Sequence, residues 1–168
     1  DKLRAEMDGM GVNGDDLPYD RLDELVLTDC AFKEAMRLIP PVPNIPRRAV
    51  KAFDFGGYHI PAGTFVSVSP SHVHKMEEYW PDPDRFDPLR HTAEEVRNRH
   101  KYAFVPFGGG AHMCLGLHFA NMQARIFFWH LLRTHRIEIA PEWNGKWQAW
   151  PIPKPDDGLP VRIVPLGG

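Results

Sequence analysis

One cysteine stands at the junction between a glycine-rich loop and a long apolar segment. The stretch Phe107-Gly108-Gly109-Gly110-Ala111-His112-Met113-Cys114-Leu115-Gly116 is followed by the apolar run 117–132, which predicts a helix. The three glycines allow positive φ angles and let the backbone lie close to a flat ligand. The positive end of the helix favours a thiolate at Cys114, and a thiolate is a soft metal ligand. His112 can offer an anion a hydrogen bond or a positive charge.

A second interpretation of this stretch needs no ligand. Free cysteine is among the most buried residue types, and it packs as a small hydrophobe. A glycine-rich turn before a core helix would make Cys114 an ordinary packing residue. Other motifs in the chain must decide between the two interpretations.

The spacing Phe-x-x-Gly-x-x-x-Cys-x-Gly resembles the haem-binding loop of the cytochrome P450 family, whose proximal iron ligand is a cysteine thiolate. The resemblance implies haem b as the cofactor, Cys114 as the iron ligand and His112 as a propionate contact. The loop residues that it places against the cofactor are Phe107, Gly108, His112, Cys114 and Gly116. The loop and the meander described below are most similar to bacterial members and to the sterol-demethylase branch.

A charged pair upstream of the loop matches the same family. Glu34 and Arg37 lie three residues apart on one face of a predicted helix, where they can pair. In isolation such a pair is usually a surface ion pair that contributes little stability. Here the segment Leu38-Ile39-Pro40-Pro41 follows, as in the family helix that precedes the haem loop. The resemblance then implies a buried network of Glu34 and Arg37 with Arg85.

Arg85 lies in the proline-rich segment Pro81-Asp82-Pro83-Asp84-Arg85-Phe86, which cannot continue a helix or form a central strand. This segment resembles the meander of the family. Three motifs in the family's order support one another.

Two adjacent arginines, Arg47 and Arg48, follow the proline cluster, and adjacent arginines are most often solvated. In the family an arginine near this place binds a haem propionate, which a guanidinium can bond through two parallel hydrogen bonds. The offset to Gly57 favours Arg47 over Arg48.

Two apolar segments are expected to border the substrate. Segment 42–46 must pass near the haem if Arg47 reaches a propionate, and an apolar, proline-stiffened loop surrounds Ile152. In the family both regions enter the pocket, so the resemblance implies that Val42, Ile45 and Ile152 contact an apolar substrate. The alternative is that these side chains only fill space.

The sequence pattern around these residues predicts helices and strands of an α+β chain. The resemblance implies the C-terminal part of the mainly helical P450 fold, with small β-hairpins, a meander, the cysteine loop and a long buried helix. Residues 1–168 would form a single haem-binding portion of a larger monooxygenase domain whose N-terminal portion is absent. The predicted helices are one ending near Met10, a helical region 20–38 broken near Thr28-Asp29, a helix 71–79, a short exposed helix after Thr92 and a largely buried helix 115–132. The predicted strands are a strand–turn–strand unit with arms 48–53 and 64–69, and two terminal strands, 136–139 and 161–164.

Composition narrows the function classes. The 168 residues carry a net charge of −2, which gives no electrostatic case for binding nucleic acid or an anionic membrane. There is no apolar run of about 18 residues that would predict a membrane segment. Cys30 and Cys114 do not suggest a disulfide framework, which favours a reducing compartment. We expect a cytoplasmic protein if its source is bacterial, while a membrane anchor in the remaining part stays open.

The implied reaction is monooxygenation of an apolar organic substrate with O₂, because a thiolate ligand donates electron density that favours O–O cleavage. The electrons would come from a ferredoxin or a flavoprotein reductase, since Gly108-Gly109-Gly110 lacks the spacing of a dinucleotide-binding loop.

Several alternatives remain at this point. A haem-thiolate peroxygenase or isomerase would need no electron donor, and an isolated fragment could be a non-catalytic interaction module. A zinc site could use Cys114, His118 and His112, although a structural site needs four ligands. His72 and His74 could act as metal ligands if they share a strand face.

Overall fold

The structure, a computed structural model, describes residues 1–149 and 152–167. Within these residues the chain forms α-helices joined by short 3₁₀ turns and small antiparallel strand pairs. The helices are α1 (Lys2–Gly9), α2 (Val26–Leu38), α3 (Pro70–Val73), α4 (Ala93–Asn98) and α5 (Leu117–Thr134), with 3₁₀ turns at Tyr19–Glu24, Pro88–His91 and Gly110–His112. In this part of the chain, no helix is both long and apolar enough to span a membrane. The α+β prediction is confirmed.

The strands form four two-stranded antiparallel sheets among the described residues. They are β1 (Ile45–Arg48), β2 (Phe53–Phe55), β3 (Tyr58–Ile60), β4 (Phe65–Val68), β5 (His135–Ile139), β6 (Trp147–Gln148), β7 (Lys154–Pro155) and β8 (Val161–Pro165). The pairs are β1–β4, β2–β3, β5–β8 and β6–β7. The predicted terminal strand pair is therefore confirmed as β5–β8.

The region 45–68 differs from the predicted single hairpin. Strand β1 pairs with β4, with Ile45 opposite Val68, and the β2–β3 hairpin lies between them in sequence. The predicted first arm 48–53 is wrong, because the chain turns after Arg48 and Phe53 already pairs with Ile60. Alternation alone did not distinguish one long arm from two nested pairs.

A partly buried carboxylate of α1 caps the start of α2. The N–H groups of Leu27 and Thr28 donate to the Glu6 carboxylate, and the Thr28 hydroxyl donates to it across 2.7 Å. Free N–H groups at a helix start need such acceptors, so a residue of another helix supplies the cap. The predicted break near Thr28-Asp29 lies instead at Leu25, between the 3₁₀ turn and α2.

Helix α5 is only partly buried, which corrects the prediction of a largely buried helix. Trp129 packs with Met7 and Leu25 in the core and donates through Nε1 to the Asp15 carbonyl at 2.9 Å. Phe119 and Phe127 on other faces are 62% and 58% exposed. Within the described residues α5 contacts α1, α2, β5 and the 3₁₀ turn Tyr19–Glu24, and Trp129 is its buried residue.

Between the hairpins and the cysteine loop the chain is mostly irregular. The predicted helix 71–79 is wrong: α3 ends at Val73, and turns follow up to Trp80. The predicted short helix after Thr92 is confirmed as α4, with Thr92 at its N-cap position. This irregular segment wraps around the C-terminal half of α2, against which its 3₁₀ turn Pro88–His91 packs.

Candidate functional site

The cysteine loop is closed by a backbone hydrogen bond. The Cys114 N–H donates to the Phe107 carbonyl at 3.0 Å, so the two ends of the loop are adjacent. Gly108 and Gly110 have φ angles of +73° and +69°, which disfavour residues with a side chain. Gly116 occupies the N-cap position of α5. The loop therefore places Cys114 shortly before the start of the helix.

Cys114 is a free and exposed thiol, which contradicts the interpretation as a buried hydrophobe. A Cβ atom at Gly116 would lie 3.7 Å from Sγ of Cys114, so the glycine leaves that side of the sulfur open. Leu115, next to it, is also fully exposed. An exposed thiol among exposed apolar side chains indicates a surface built to contact something else.

A cavity of about 360 Å³ lies beside this thiol and is lined by several of the predicted site residues. Its lining consists of Met36, Pro41, Val42, Ile45, Arg47, Pro106, Phe107, Gly108, His112 and Cys114. The loop, strand β1 and the end of α2 thus meet at one place. Two nitrogen-bearing side chains that suit carboxylates share an otherwise apolar cavity with a soft metal ligand. This donor set fits a flat, apolar, iron-containing group with carboxylate arms.

The structure also separates some of the predicted site residues. Arg48 is not part of the cavity lining, and its guanidinium stacks on the Phe65 ring at 4.4 Å. Arg47 lines the cavity and donates from Nη1 to the Pro46 carbonyl at 2.8 Å. Ile152 is exposed and does not line this cavity. Its substrate contact remains a prediction from the family resemblance.

The Glu34–Arg37 pair is a buried ion pair, so the surface interpretation is wrong. Both side chains have 0% exposure, with Nε–Oε2 at 2.8 Å and Nη2–Oε1 at 2.9 Å. Arg37 Nη1 also donates to the carbonyls of His74 and Pro83, at 2.9 and 2.7 Å. The pair thereby ties α2 to the irregular segment that leads to the cysteine loop.

The prediction for the third member of this network needs correction. The Arg85 side chain is 64% exposed and pairs with Asp87 at 2.6 Å, and only its backbone carbonyl faces Arg37. The reason is a turn in which the Arg85 N–H donates to the Asp82 carbonyl, with Asp82 at a φ of +51°. That turn directs the guanidinium outward.

Arg90 and His91 take the place that was predicted for Arg85. Nε of Arg90 lies 3.5 Å from Oε1 of Glu34 in an ion pair. Nε2 of His91 lies 3.0 Å from Oε2 of Glu34, and the Asp87 N–H donates to Oε1 at 2.9 Å. Sequence reasoning missed His91; the available signal was that Pro88 starts a short turn, which can bring a nearby side chain back to α2. Glu34 thus receives hydrogen bonds from an arginine, a histidine and a backbone amide.

The pKa values of three side chains in and around the buried network are lowered. Burial alone would raise the pKa of Glu34, but hydrogen bonds from His91, Arg37 and the Asp87 N–H lower it to about 2. Burial lowers the pKa of His91, partly offset by Glu34. Burial also lowers the pKa of His74 to about 4. Near neutral pH the Glu34 carboxylate is therefore ionised, while the imidazoles of His74 and His91 are neutral.

The metal-site alternatives receive no support from the described residues. No group of three or more His, Cys, Asp or Glu side chains in residues 1–149 and 152–167 is arranged to hold a metal ion. His72 and His74 lie in and after α3 and do not share a strand. His74 is buried, and its ring accepts a hydrogen bond from a backbone amide.

The relatives found by comparison with known proteins agree with one another. The sequence profile of the cytochrome P450 family matches residues 1–148. Cytochrome P450 136 of Mycobacterium tuberculosis is 38% identical over 153 residues, which make up 89% of this chain and 31% of that protein. The beta-amyrin 28-monooxygenase of Solanum lycopersicum is 40% identical over 133 residues, which make up 79% of this chain and 27% of that protein. The chain thus spans about a third of the length of these curated relatives.

Solved structures agree with the sequence comparison. The retinoic acid-bound cyanobacterial CYP120A1 superposes with a TM-score of 0.91 at 32% identity, over 98% of this chain and 38% of that one. The loop, the buried ion pair and the meander thus occur in a fold closely similar to solved P450 structures. On the profile match, the relatives and this superposition, the chain belongs to the cytochrome P450 family.

Proposed function

We propose that this chain is the C-terminal haem-binding portion of a P450 monooxygenase, with Cys114 as the proximal iron ligand of haem b. Family membership implies a haem cofactor. The observation that carries the proposal is the shared cavity: an exposed free thiol lies with Arg47 and His112 in one apolar depression. This donor set suits a haem, with a thiolate for the iron and two side chains that can bond the propionates.

Several residues of the cavity and of the cysteine loop have distinct tasks in holding the haem. Cys114 supplies the thiolate, and Gly108 and Gly110 let the loop backbone lie close to the ring. Arg47 and His112 hold the propionates by charge-assisted hydrogen bonds. Phe107 and Met36 supply apolar lining next to Cys114.

The reaction class follows from the thiolate. The Cys114 thiolate would donate electron density to the iron of a bound haem, which favours cleavage of the O–O bond. Relatives of this chain include proteins named beta-amyrin 28-monooxygenase and taurochenodeoxycholic 6 alpha-hydroxylase. We propose that this protein inserts one oxygen atom from O₂ into an apolar organic substrate. A ferredoxin or a flavoprotein reductase would supply the electrons.

The substrate side is proposed from the same cavity. Val42 and Ile45 line it and present branched apolar side chains. Recognition there would depend on shape and apolar burial more than on charge. Ile152 is assigned to the substrate from the family resemblance.

The exposed face of α5 is consistent with a portion of a larger domain. Phe119 and Phe127 would be covered by the part of the P450 fold that lies outside these 168 residues. Burying a large apolar side chain stabilises a protein by about 1.5–3 kcal/mol, so such cover would add to stability.

The chain offers its own matched control for a test of the iron ligand. Cys114 is exposed beside the cavity, whereas Cys30 is buried in α2. In the complete haem-loaded protein, Cys114→Ser should abolish the long-wavelength carbon monoxide band of the ferrous state, which is typical of thiolate ligation. Cys30→Ser should leave the band in place. Loss of the band in Cys30→Ser with retention in Cys114→Ser would overturn the assignment.

The reaction is tested separately. Product should form only with O₂, a reductase system and an apolar substrate, and should contain one atom of labelled oxygen from O₂. Turnover of the same substrate without an electron donor would favour a peroxygenase or an isomerase instead.

A further inference from the structure

His74 stands between the buried ion pair and the cysteine loop. Its side chain is fully buried, and its backbone carbonyl accepts a hydrogen bond from Arg37 Nη1 at 2.9 Å. On the other side, its ring Nε2 accepts a hydrogen bond from the Val105 N–H at 2.9 Å. The ring packs beside Phe104, with a centroid distance of 5.3 Å. One residue therefore contacts both parts of the site that the sequence motifs predicted separately.

Backbone hydrogen bonds connect Val105 with the cysteine loop. The Val105 carbonyl accepts from the Gly108 N–H at 3.0 Å, and the Phe107 carbonyl accepts from the Cys114 N–H at 3.0 Å. Between them, Pro106 has a fixed φ angle. The position of Val105 thereby determines where the loop begins, and the loop closes at the thiol.

The protonation state of His74 fits this contact. A backbone N–H can only donate, so Nε2 must be an acceptor and the imidazole must be neutral. Burial lowers the pKa of His74 to about 4, and backbone hydrogen bonds to Arg37 and Met36 oppose that shift only in part. The acceptor is therefore present at neutral pH.

We propose that His74 is a positioning residue of the site: its ring fixes Val105 and thereby the cysteine loop relative to the buried Glu34–Arg37 pair. The proposal rests on the proposed function in one respect, since the consequence for iron ligation requires Cys114 to be the ligand. The effect on the loop itself does not depend on the cofactor.

The first experiment measures backbone amide exchange in residues 105–114 of the complete protein. His74→Leu fills the buried space with an apolar side chain but removes the acceptor. His74→Gln places an oxygen near the position of Nε2. We expect about tenfold faster exchange in this segment for His74→Leu and near-normal exchange for His74→Gln, because one buried hydrogen bond is lost and then restored. If His74→Leu gives no folded protein, His74→Asn replaces it, since its shorter side chain does not reach Val105.

Met7→Ala is the control for general destabilisation. Met7 lies in the core with Leu25 and Trp129, on a different part of the chain. If the exchange of residues 105–114 rises as much in Met7→Ala as in His74→Leu, or if His74→Gln behaves like the variants without the acceptor, the positioning role is wrong.

The second experiment measures iron ligation. In ferrous protein with carbon monoxide, His74→Leu should convert part of the long-wavelength band to the shorter-wavelength band of a protein without thiolate ligation, and His74→Gln should restore it. An unchanged band in His74→Leu together with faster exchange would overturn the effect on ligation. Absence of the long-wavelength band in the wild-type protein would instead count against the proposed function, while the exchange result would stand.

Discussion

Arg37 donates from Nη2 to the backbone carbonyl of Arg85 at 3.2 Å, while the Arg85 guanidinium is directed to Asp87 at the surface. The two arginines therefore contribute differently to the buried network, although the sequence motifs predicted that both side chains belong to it. Arg37 makes five hydrogen bonds to Glu34 and to three carbonyls. Arg85 contributes to the interior through its backbone alone.

The first prediction compares these two arginines. Arg37→Ala should lower the free energy of unfolding by about 3–5 kcal/mol, because the buried Glu34 carboxylate loses the partner that binds both of its oxygens and keeps only the longer contact to Arg90. Arg85→Ala should change the free energy of unfolding far less, since only an exposed ion pair is lost. Denaturant unfolding of both variants measures the difference. Equal losses of stability would contradict the assigned roles.

The second prediction concerns acid stability. The pKa of Glu34 is about 2 in the folded state against an ordinary value of 4.5, so the unfolded state binds the proton more readily. The stabilisation by Glu34 is complete above about pH 4.5 and is lost as the pH falls towards 2. Glu34→Gln should therefore flatten the dependence of unfolding free energy on pH between these limits. The same slope in wild type and variant would contradict the low pKa.

The third prediction concerns a higher pH window and His74. Its pKa is about 4 in the folded state and about 6.5 when unfolded, so the unfolded state again binds more protons. Stability should fall as the pH drops from about 6.5 to 4, and His74→Gln should reduce this slope. His91, whose pKa is also lowered, contributes in the same direction and will leave a residual slope. An unaltered slope in His74→Gln would show that His74 titrates normally.

The fourth prediction concerns haem retention. His112→Ala and Arg47→Ala should each speed the transfer of haem to apomyoglobin, because a propionate loses a charge-assisted hydrogen bond. The carbon monoxide band should stay at its long-wavelength position, since Cys114 is untouched. Arg48→Ala is the matched control, because Arg48 lies next in sequence but stacks on Phe65 away from the cavity. Faster haem loss in Arg48→Ala than in Arg47→Ala would reverse the assignment.

The fifth prediction concerns substrate choice. Val42→Phe and Ile45→Phe enlarge side chains that line the cavity, so they should change the ratio of products from apolar substrates of different width. Their carbon monoxide spectra should match that of the wild type. Ile152→Phe tests the residue that does not line this cavity. An identical substrate profile for Val42→Phe and Ile45→Phe would mean that these residues only fill space.

Sequence alone predicted the parts of the site that depend on local spacing. Cys114 is presented by the glycines around it, and Glu34 and Arg37 meet because they lie three residues apart on one helix. Both features require only the nearest neighbours in sequence. The strand pair β5–β8 was likewise predictable from alternation in its two segments.

The parts that sequence did not predict depend on tertiary contacts. A single turn at Asp82 decides whether Arg85 points inward, and nothing in the proline-rich segment specifies its direction. The cap of α2 comes from Glu6 in another helix, so no N-cap signal precedes Leu27. His91 and His74 acquire their roles only when the irregular segment wraps around α2.

The nested arrangement of β1–β4 around the β2–β3 hairpin has a consequence for the order of folding. The inner hairpin joins residues close in sequence, from Phe53 to Ile60, and its closure needs little loss of chain entropy. Once it has formed, the ends of β1 and β4 are brought nearer, and the loop that remains to be closed is effectively shorter. Strand β1 carries Ile45 and Arg47 into the cavity. Pairing that starts at the β2–β3 hairpin and proceeds outward would therefore bring these two cavity residues into place last, which makes the hairpin a nucleus for the β1 side of the site.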